Sequence, residues 1–238
     1  MRILFYTVNL NNYDKIMDVT KARTLRWNDS YICVTDDKEG ALSRSWGVHV
    51  VNIPNHIKNN KNEILDLTRY FKMNPNIVHN SKNQWNSPCD IEVYLDANKY
   101  FIAYSKIIQL CEKLWYSDKE MLIATHWGRT TVKEECDAVI NCGKSTREQV
   151  DTEYQYLIDN GFKDDVGLYC ASIEIRKTNS KPLKEMLSMW WDMYKISPTK
   201  RDQITLPYCL WKCNMLDKII TIESKELMNY FRHMPHRG

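Results

Sequence analysis

The chain repeats one pattern from end to end: a short apolar run, a polar loop, then a segment with helical spacing of apolar residues. Ile3 to Val8, Ser30 to Val34, Trp46 to Ile53, Ile91 to Leu95, Met121 to Thr125, Tyr169 to Arg176 and Lys218 to Ile222 read as strands. Between them, Leu65 to Lys72, Ala103 to Trp115, Thr131 to Cys142, Gln149 to Asn160, Pro182 to Tyr194 and Gln203 to Lys212 read as helices. In Ala103 to Trp115 the residues Ile107, Ile108, Leu110, Cys111 and Leu114 form one apolar face. Gly161 supplies a helix stop, and Pro207 is expected to kink the last helix or sit near its start. Asn76 to Pro88, rich in Asn and Ser, reads as a loop, and Phe231 to Gly238 as a tail. Strands interleaved with helices imply an α/β layer architecture on a mostly parallel sheet.

In such a sheet, ligands bind beyond the carboxyl ends of the strands. Three polar strand ends, Asn9, Asp36-Asp37 and Asp96 to Asn98, are therefore expected on one rim. The third carries the most chemistry. In Val93-Tyr94-Leu95-Asp96-Ala97-Asn98 an apolar strand runs into a carboxylate and, two positions on, a carboxamide. Residues i and i+2 of an extended chain share a face, so Asp96 and Asn98 are expected to converge. Hard oxygen ligands at such a point suit Mn²⁺ or Mg²⁺, which can bridge a nucleotide diphosphate. An Asp in this place also serves as a turn or helix cap, so the rest of the chain has to decide.

With 238 residues the chain fits one domain spanning 1–238. The net charge of +3, with Lys and Arg scattered rather than striped, argues against a nucleic-acid partner. No window approaches the roughly 18 apolar residues of a membrane span, and the opening Met1 to Tyr6 is too short for a signal-peptide core. The eight cysteines form no Cys-x-x-Cys pair and several lie in apolar runs, so reduced thiols and a cytoplasmic location are expected.

Several blocks, in order, resemble a known family over nearly the whole chain. They are Tyr6-Thr7-Val8-Asn9 with Asn12-Tyr13-Asp14, Tyr31 to Asp37, Arg69-Tyr70-Phe71-Lys72 and Tyr94 to Asn98. Further on come His126-Trp127-Gly128-Arg129 with Glu134-Glu135, Gly167-Leu168, Ile175-Arg176-Lys177, Trp190-Trp191, Arg201-Asp202-Gln203 and Tyr208 to Lys212. The series resembles the GT-A-type glycosyltransferase-like family of plant mucilage-related and tapetum-related proteins, with bacterial and viral members. Trp127 stands where that family usually has Pro, and Ala171 or Ser172 where it often has Asn. Both departures lie where acceptor or sugar would bind.

The resemblance implies a metal-dependent, GT-A-like (Rossmann-type) enzyme that moves a hexosyl or deoxyhexosyl group from a nucleotide sugar, such as a UDP-sugar, to a glycan or glycoconjugate. Mn²⁺ or Mg²⁺ would sit on Asp96 and Asn98, with His236 as third ligand and His233 as second choice. Thr7, Val8, Asn9, Tyr13, Asp14 and Asp36 would hold base and ribose, and Arg237 would meet phosphate. Arg69 could reach the pyrophosphate or brace Asp96, while Lys72 is expected at the surface. His126, Arg129, Arg201, Gln203 and Trp190 would contact sugar or acceptor, with one of the adjacent Trp190 and Trp191 packing inward. Glu134 and Glu135 read as helix N-terminal charges. Asp202 is the best catalytic acid: a base in an inverting reaction, or a holder of sugar hydroxyls in a retaining one. Two other readings stay open. One is a degenerate carbohydrate- or nucleotide-sugar-binding domain; the other is a sugar nucleotidyltransferase, which normally opens with a glycine-rich loop that this chain lacks.

Overall fold

The computed structural model describes residues 1–19, 29–79 and 89–234. The first half comprises β1 (Ile3–Asn9), β2 (Ser30–Thr35), α1 (Lys38–Leu42), β3 (Gly47–Val50), α2 (Asn55–Lys58), α3 (Lys61–Met73), α4 (Asn76–His79), β4 (Ile91–Leu95) and β5 (Lys99–Phe101). The second comprises α5 (Tyr104–Trp115), β6 (Met121–Thr125), α6 (Val132–Asn141), α7 (Arg147–Asp159), β7 (Tyr169–Lys177), α8 (Lys181–Ile196) and α9 (Asp202–Lys212). After a 3-10 turn at Leu216–Lys218 come β8 (Ile219–Ile222), α10 (Ser224–Leu227) and β9 (Phe231–His233).

The main sheet has the order β3-β2-β1-β4-β7-β6-β8. Every neighbouring pair is parallel except the two made by β7, which runs against β4 and β6. The α/β reading, with a mostly parallel sheet between helices, therefore holds. Helices on both faces explain why all of β1 is buried rather than alternating. Ile3, Phe5, Val93 and Ile175 pack with Ile107, Cys111 and Leu114 of α5 on one face. Leu4, Tyr6 and Tyr94 pack with Ile64 and Phe71 of α3 on the other. A third cluster gathers α8 and α9 on β6 and β7.

Several boundaries differ from expectation for local reasons. Helix α3 begins four residues before Leu65, because the Asn60 side chain accepts from the backbone of Asn62 and Glu63. Its first turn is polar, so apolar spacing could not reveal it. Residues 76–79, expected as loop, form a short helix, and 80–88 lie outside the described residues. Strand β3 is shorter than Trp46 to Ile53; Trp46 instead buries its indole and donates to Met17 O at 2.8 Å. Pro207 neither starts nor ends its helix but lies inside α9. The expected tail contributes β9, which pairs antiparallel with β5. Among the described residues no helix is long and apolar enough to cross a membrane. All eight cysteines are free thiols.

A chain of buried charge crosses the α3 face of the sheet. Arg176, with no exposed surface, binds Glu174 through Nε and Nη2. Its Nη1 donates to Tyr6 Oη at 3.1 Å, Lys72 O at 2.9 Å and Glu92 Oε1 at 3.3 Å. The register places Glu92 opposite Arg176 and Tyr94 opposite Glu174. Lys72 continues the chain, 3.5 Å from Glu174 Oε1 and 2.7 Å from Asp202 Oδ2. Its ammonium lies 5.1 Å from both the Tyr94 and Trp190 ring centroids. The surface position expected for Lys72 is thus corrected: only 1% of the residue is exposed. A lone lysine between apolar residues carries no sign of a partner 130 positions away.

Arg176→Met would leave two buried carboxylates without their guanidinium. Urea unfolding should show a loss of about 3–5 kcal/mol, whereas Lys181→Met on the exposed start of α8 should leave the midpoint unchanged. A loss under about 1 kcal/mol would show that the buried pairs are dispensable.

Candidate functional site

Parallel pairing puts the carboxyl ends of β1, β2, β4 and β6 on one rim, and antiparallel β7 brings its beginning there. A cleft of about 310 Å³ opens along this rim. The strand-end argument therefore locates it, although not every expected residue takes part.

The first loop is built by Asn9. Its Nδ2 donates to Asp14 O at 3.1 Å and its Oδ1 accepts from Asp14 N at 3.0 Å, closing the segment between them. Asn11 and Asn12 adopt positive φ (54° and 51°), a conformation that asparagine tolerates better than most residues. Val8, Asn9, Tyr13 and Asp14 consequently line the cleft. Thr7 does not; it lies buried inside β1. Asp36 is also diverted from the cleft. It accepts from Asn11 N at 2.7 Å and faces Lys58 Nζ at 3.3 Å, so it braces the loop from outside.

Asp96 lines the cleft, with Oδ1 accepting from Tyr94 Oη at 2.7 Å and its N–H donating to Ser172 O at 2.9 Å. Burial, then the Asp96 charge, push the Tyr94 phenol well above its ordinary value, so it stays a donor. Asn98 does not join Asp96 in lining the cleft. The chain turns at once, Lys99 N donating to Asp96 O at 2.9 Å, so the i, i+2 rule of an extended strand stops applying. Asn98 is buried in that turn, where its carbonyl accepts from Met234 N at 2.8 Å. Among the described residues no group of three His, Cys, Asp or Glu could hold a metal ion by itself.

Asp202 occupies the first turn of α9, with Arg201 before it at the cap position. Two cations meet one oxygen of its carboxylate: Lys72 Nζ at 2.7 Å and Arg69 Nε at 2.9 Å, both on Oδ2. Burial alone would raise this carboxyl, but Arg69 and Lys72 outweigh it and hold it well below the usual carboxylate range. Such a group is a weak proton acceptor at neutral pH and a strong hydrogen-bond acceptor. Arg69 accordingly pairs with Asp202 rather than directly with Asp96.

Arg201 and Gln203 line the same cleft with Ser172, together with Lys144, Lys200 and Tyr194, which were not anticipated. Lys200 adjoins the Arg201 block and could have been read from it; Lys144, in the loop after α6, carried no signal. Trp190 requires a correction. It is wholly buried, donating through Nε1 to Asp202 O at 2.9 Å and Thr205 Oγ1 at 3.2 Å, so it supports α9 and cannot stack on a sugar. Trp191 is stacked against Tyr194.

A second cleft, about 370 Å³, shares Ala171, Ser172 and Gln203 with the first. His126, Trp127, Lys99 and His233 line it. The His126 Nδ1 accepts from Arg129 N at 2.9 Å, while burial and then the Arg129 charge push the imidazole down to about 4, leaving it neutral at pH 7. Arg129 lines neither cleft; it is paired to Glu135 at 2.7 Å. Glu134 completes a capping box with Thr131, as its position suggested. His233 approaches Lys99 Nζ at 2.9 Å through Nδ1. Burial lowers the Lys99 ammonium. His236 and Arg237 lie outside the described residues.

No protein-family model matches the chain, and no curated protein matches it. Among solved structures, the apo form of mouse xyloside xylosyltransferase 1 is similar at a TM-score of 0.54 and 8% identity, covering 99% of this chain and 96% of that one. Glucosyl-3-phosphoglycerate synthase from Mycobacterium tuberculosis, crystallised with Mn²⁺, UDP and glucosyl-3-phosphoglycerate, gives a TM-score of 0.49 and 13% identity, covering 98% and 72%. The mixed, mostly parallel seven-stranded sheet between helices is a GT-A-like fold.

Proposed function

We propose that the chain is a glycosyltransferase that moves a sugar from a nucleoside-diphosphate donor to a hydroxyl of a glycan or glycoconjugate. The observation that carries this reading is the cleft at the strand ends. It sets one accessible carboxylate, Asp96, among the cationic side chains Lys144, Lys200 and Arg201, with Arg69 and Lys72 held behind them by Asp202. In the transfer, the bond from the anomeric carbon to the diphosphate breaks and the diphosphate leaves with the electron pair. The acceptor oxygen forms the new bond and its hydroxyl proton passes to an oxygen of the departing diphosphate. Cations around the departing group stabilise the charge that develops on it.

Asn9, Tyr13 and Asp14 supply polar and aromatic surface for the nucleoside at the far end of the cleft. The donor set fits a divalent ion only in part: Asp96 offers a hard carboxylate, and Mn²⁺ or Mg²⁺ commonly completes its shell with substrate phosphates and water. His236 is the further candidate in the chain, whereas His233 lines the second cleft beside Lys99. Such an ion would act as a Lewis acid on the diphosphate. Asp202 serves as an anchor for sugar hydroxyls, since its Oδ2 is held twice and its Oδ1 has no hydrogen bond among the described residues. The free thiols agree with a reducing compartment.

The primary test is release of free nucleotide from UDP-, GDP- and TDP-sugars with Mn²⁺ and with EDTA. Metal-dependent release from one donor is expected, and Asp96→Ala should lower it by about 10²-fold or more with an unchanged melting curve. Silence across the panel, with no donor binding by thermal shift, would favour a degenerate binding domain. A second expectation concerns pH. A carboxyl depressed in the fold contributes stability that is complete above its ordinary value of 3.8 and is lost as pH falls toward the folded value. Asp202→Asn should therefore flatten the acid limb of the stability curve, and the wild-type rate should show no Asp202 limb between about pH 5 and 8. An acid limb in that window that vanishes in Asp202→Asn would make Asp202 the base after all.

A further inference from the structure

The second cleft differs from the first in charge. Its floor is apolar, made by Ala124, Ile173, Leu227 and Phe231, and its lining includes Lys99, Arg232 and His233. No carboxylate lines it among the described residues. The first cleft, by contrast, carries Asp14, Asp96 and Asp202 among its cations. Two large apolar side chains stand open to solvent in the second lining, Trp127 at 68% and Met228 at 64% exposure. An aromatic face of this kind suits the apolar side of a sugar ring or an aryl group.

The clefts meet at Ala171, Ser172 and Gln203. At that seam Gln203 Nε2 is buried and has no hydrogen-bond partner. A buried amide donor left in this state is costly, and a ligand oxygen at the seam would satisfy it. Sharing these residues with the donor cleft is what an acceptor subsite requires, because the attacking hydroxyl must reach the sugar on the other side.

Resting on the donor reading of the first cleft, we propose that the second cleft binds the acceptor, and that the acceptor is an anionic amphiphile: a hydroxyl compound with an apolar body and a carboxylate or phosphate. The body lies over the apolar floor against Trp127, and the anion meets Arg232. The hydroxyl end points to Gln203. The absence of a carboxylate from this lining makes it unfavourable for a cationic acceptor and indifferent to a neutral one.

The test compares three ligands on the full chain by isothermal titration: phenyl β-glucoside, phenyl β-glucuronide and phenyl β-glucoside 6-phosphate. The glucuronide and the phosphate distinguish the two sources of negative charge. At least one should bind about tenfold tighter than the neutral glucoside, the scale of a single charge-assisted hydrogen bond. Arg232→Ala, an exposed site, should abolish that preference, and added salt should shrink it. Saturating UDP should not displace the ligand, because it fills the other cleft. Equal affinity for neutral and anionic ligands, no binding of any, an unchanged preference in Arg232→Ala, or displacement by UDP would each overturn the proposal. If the anionic ligand binds with this preference while UDP itself fails to bind, the donor reading falls and the anionic cleft stands. If UDP binds and the anionic preference is missing, the reverse holds.

Discussion

One buried chain of alternating charge ties the sheet to the cleft. From Arg69 through Asp202, Lys72, Glu174 and Arg176 to Glu92, three cations and three carboxylates follow one another in contact. Burying any one of these groups alone would cost several kcal/mol, so each depends on its neighbours being in place. Such a chain contributes less net stability than a well-packed apolar core would, but few alternative packings satisfy it. Tyr6, Tyr94 and Trp190 close around it and exclude water. The position of α9 on the sheet, and with it Arg201, Asp202 and Gln203 in the cleft, follows from this constraint.

The reversed strand matters as much. Had β7 run parallel to β4, its beginning would lie at the opposite edge of the sheet. Running antiparallel, it presents Ala171 and Ser172 at the functional rim, with Ser172 O holding the backbone of Asp96. The same strand then carries Glu174 and Arg176 down the α3 face with a period of two. The two clefts and the buried charge are thus joined through one element.

Much of this was legible in the residues. Ile91–Leu95 and Met121–Thr125 stand where their apolar runs end in polar groups, and the strand-end rule carried Asn9 and Asp96 into one cleft. Resemblance brought Arg201, Asp202 and Gln203 to the same place. What could not be read depends on tertiary geometry. Lys72 is buried because partners from α9 and β7 surround it, and no local pattern announces them. The helical spacing of Leu183, Met186, Leu187 and Trp190 already turns Trp190 inward; what the sequence does not show is that α9 closes over it, Trp190 donating to Asp202 O. Asn98 satisfies the spacing of a metal pair, yet a turn starting at Asp96 moves it out of the cleft lining. Asp36 has the right strand end, but Asn11 and Lys58 claim its carboxylate.

The same partners decide which cations can serve an anionic ligand. Arg69 and Lys72 are matched by Asp202 and Glu174, so they add little net potential to the cleft although they line it. Lys200 is drawn to the carbonyl of Lys195 at 2.9 Å and toward Asp66 at 3.7 Å. Arg201 differs: its Nε is buried without a hydrogen-bond partner, and it has no ion pair among the described residues. An unpaired guanidinium edge at a cleft is the group that gains most from a bidentate phosphate oxygen pair. In the proposed reaction the diphosphate therefore lies nearer Arg201 and Lys144 than Arg69. Under that proposal Arg69 acts indirectly, keeping Asp202 charged and in place.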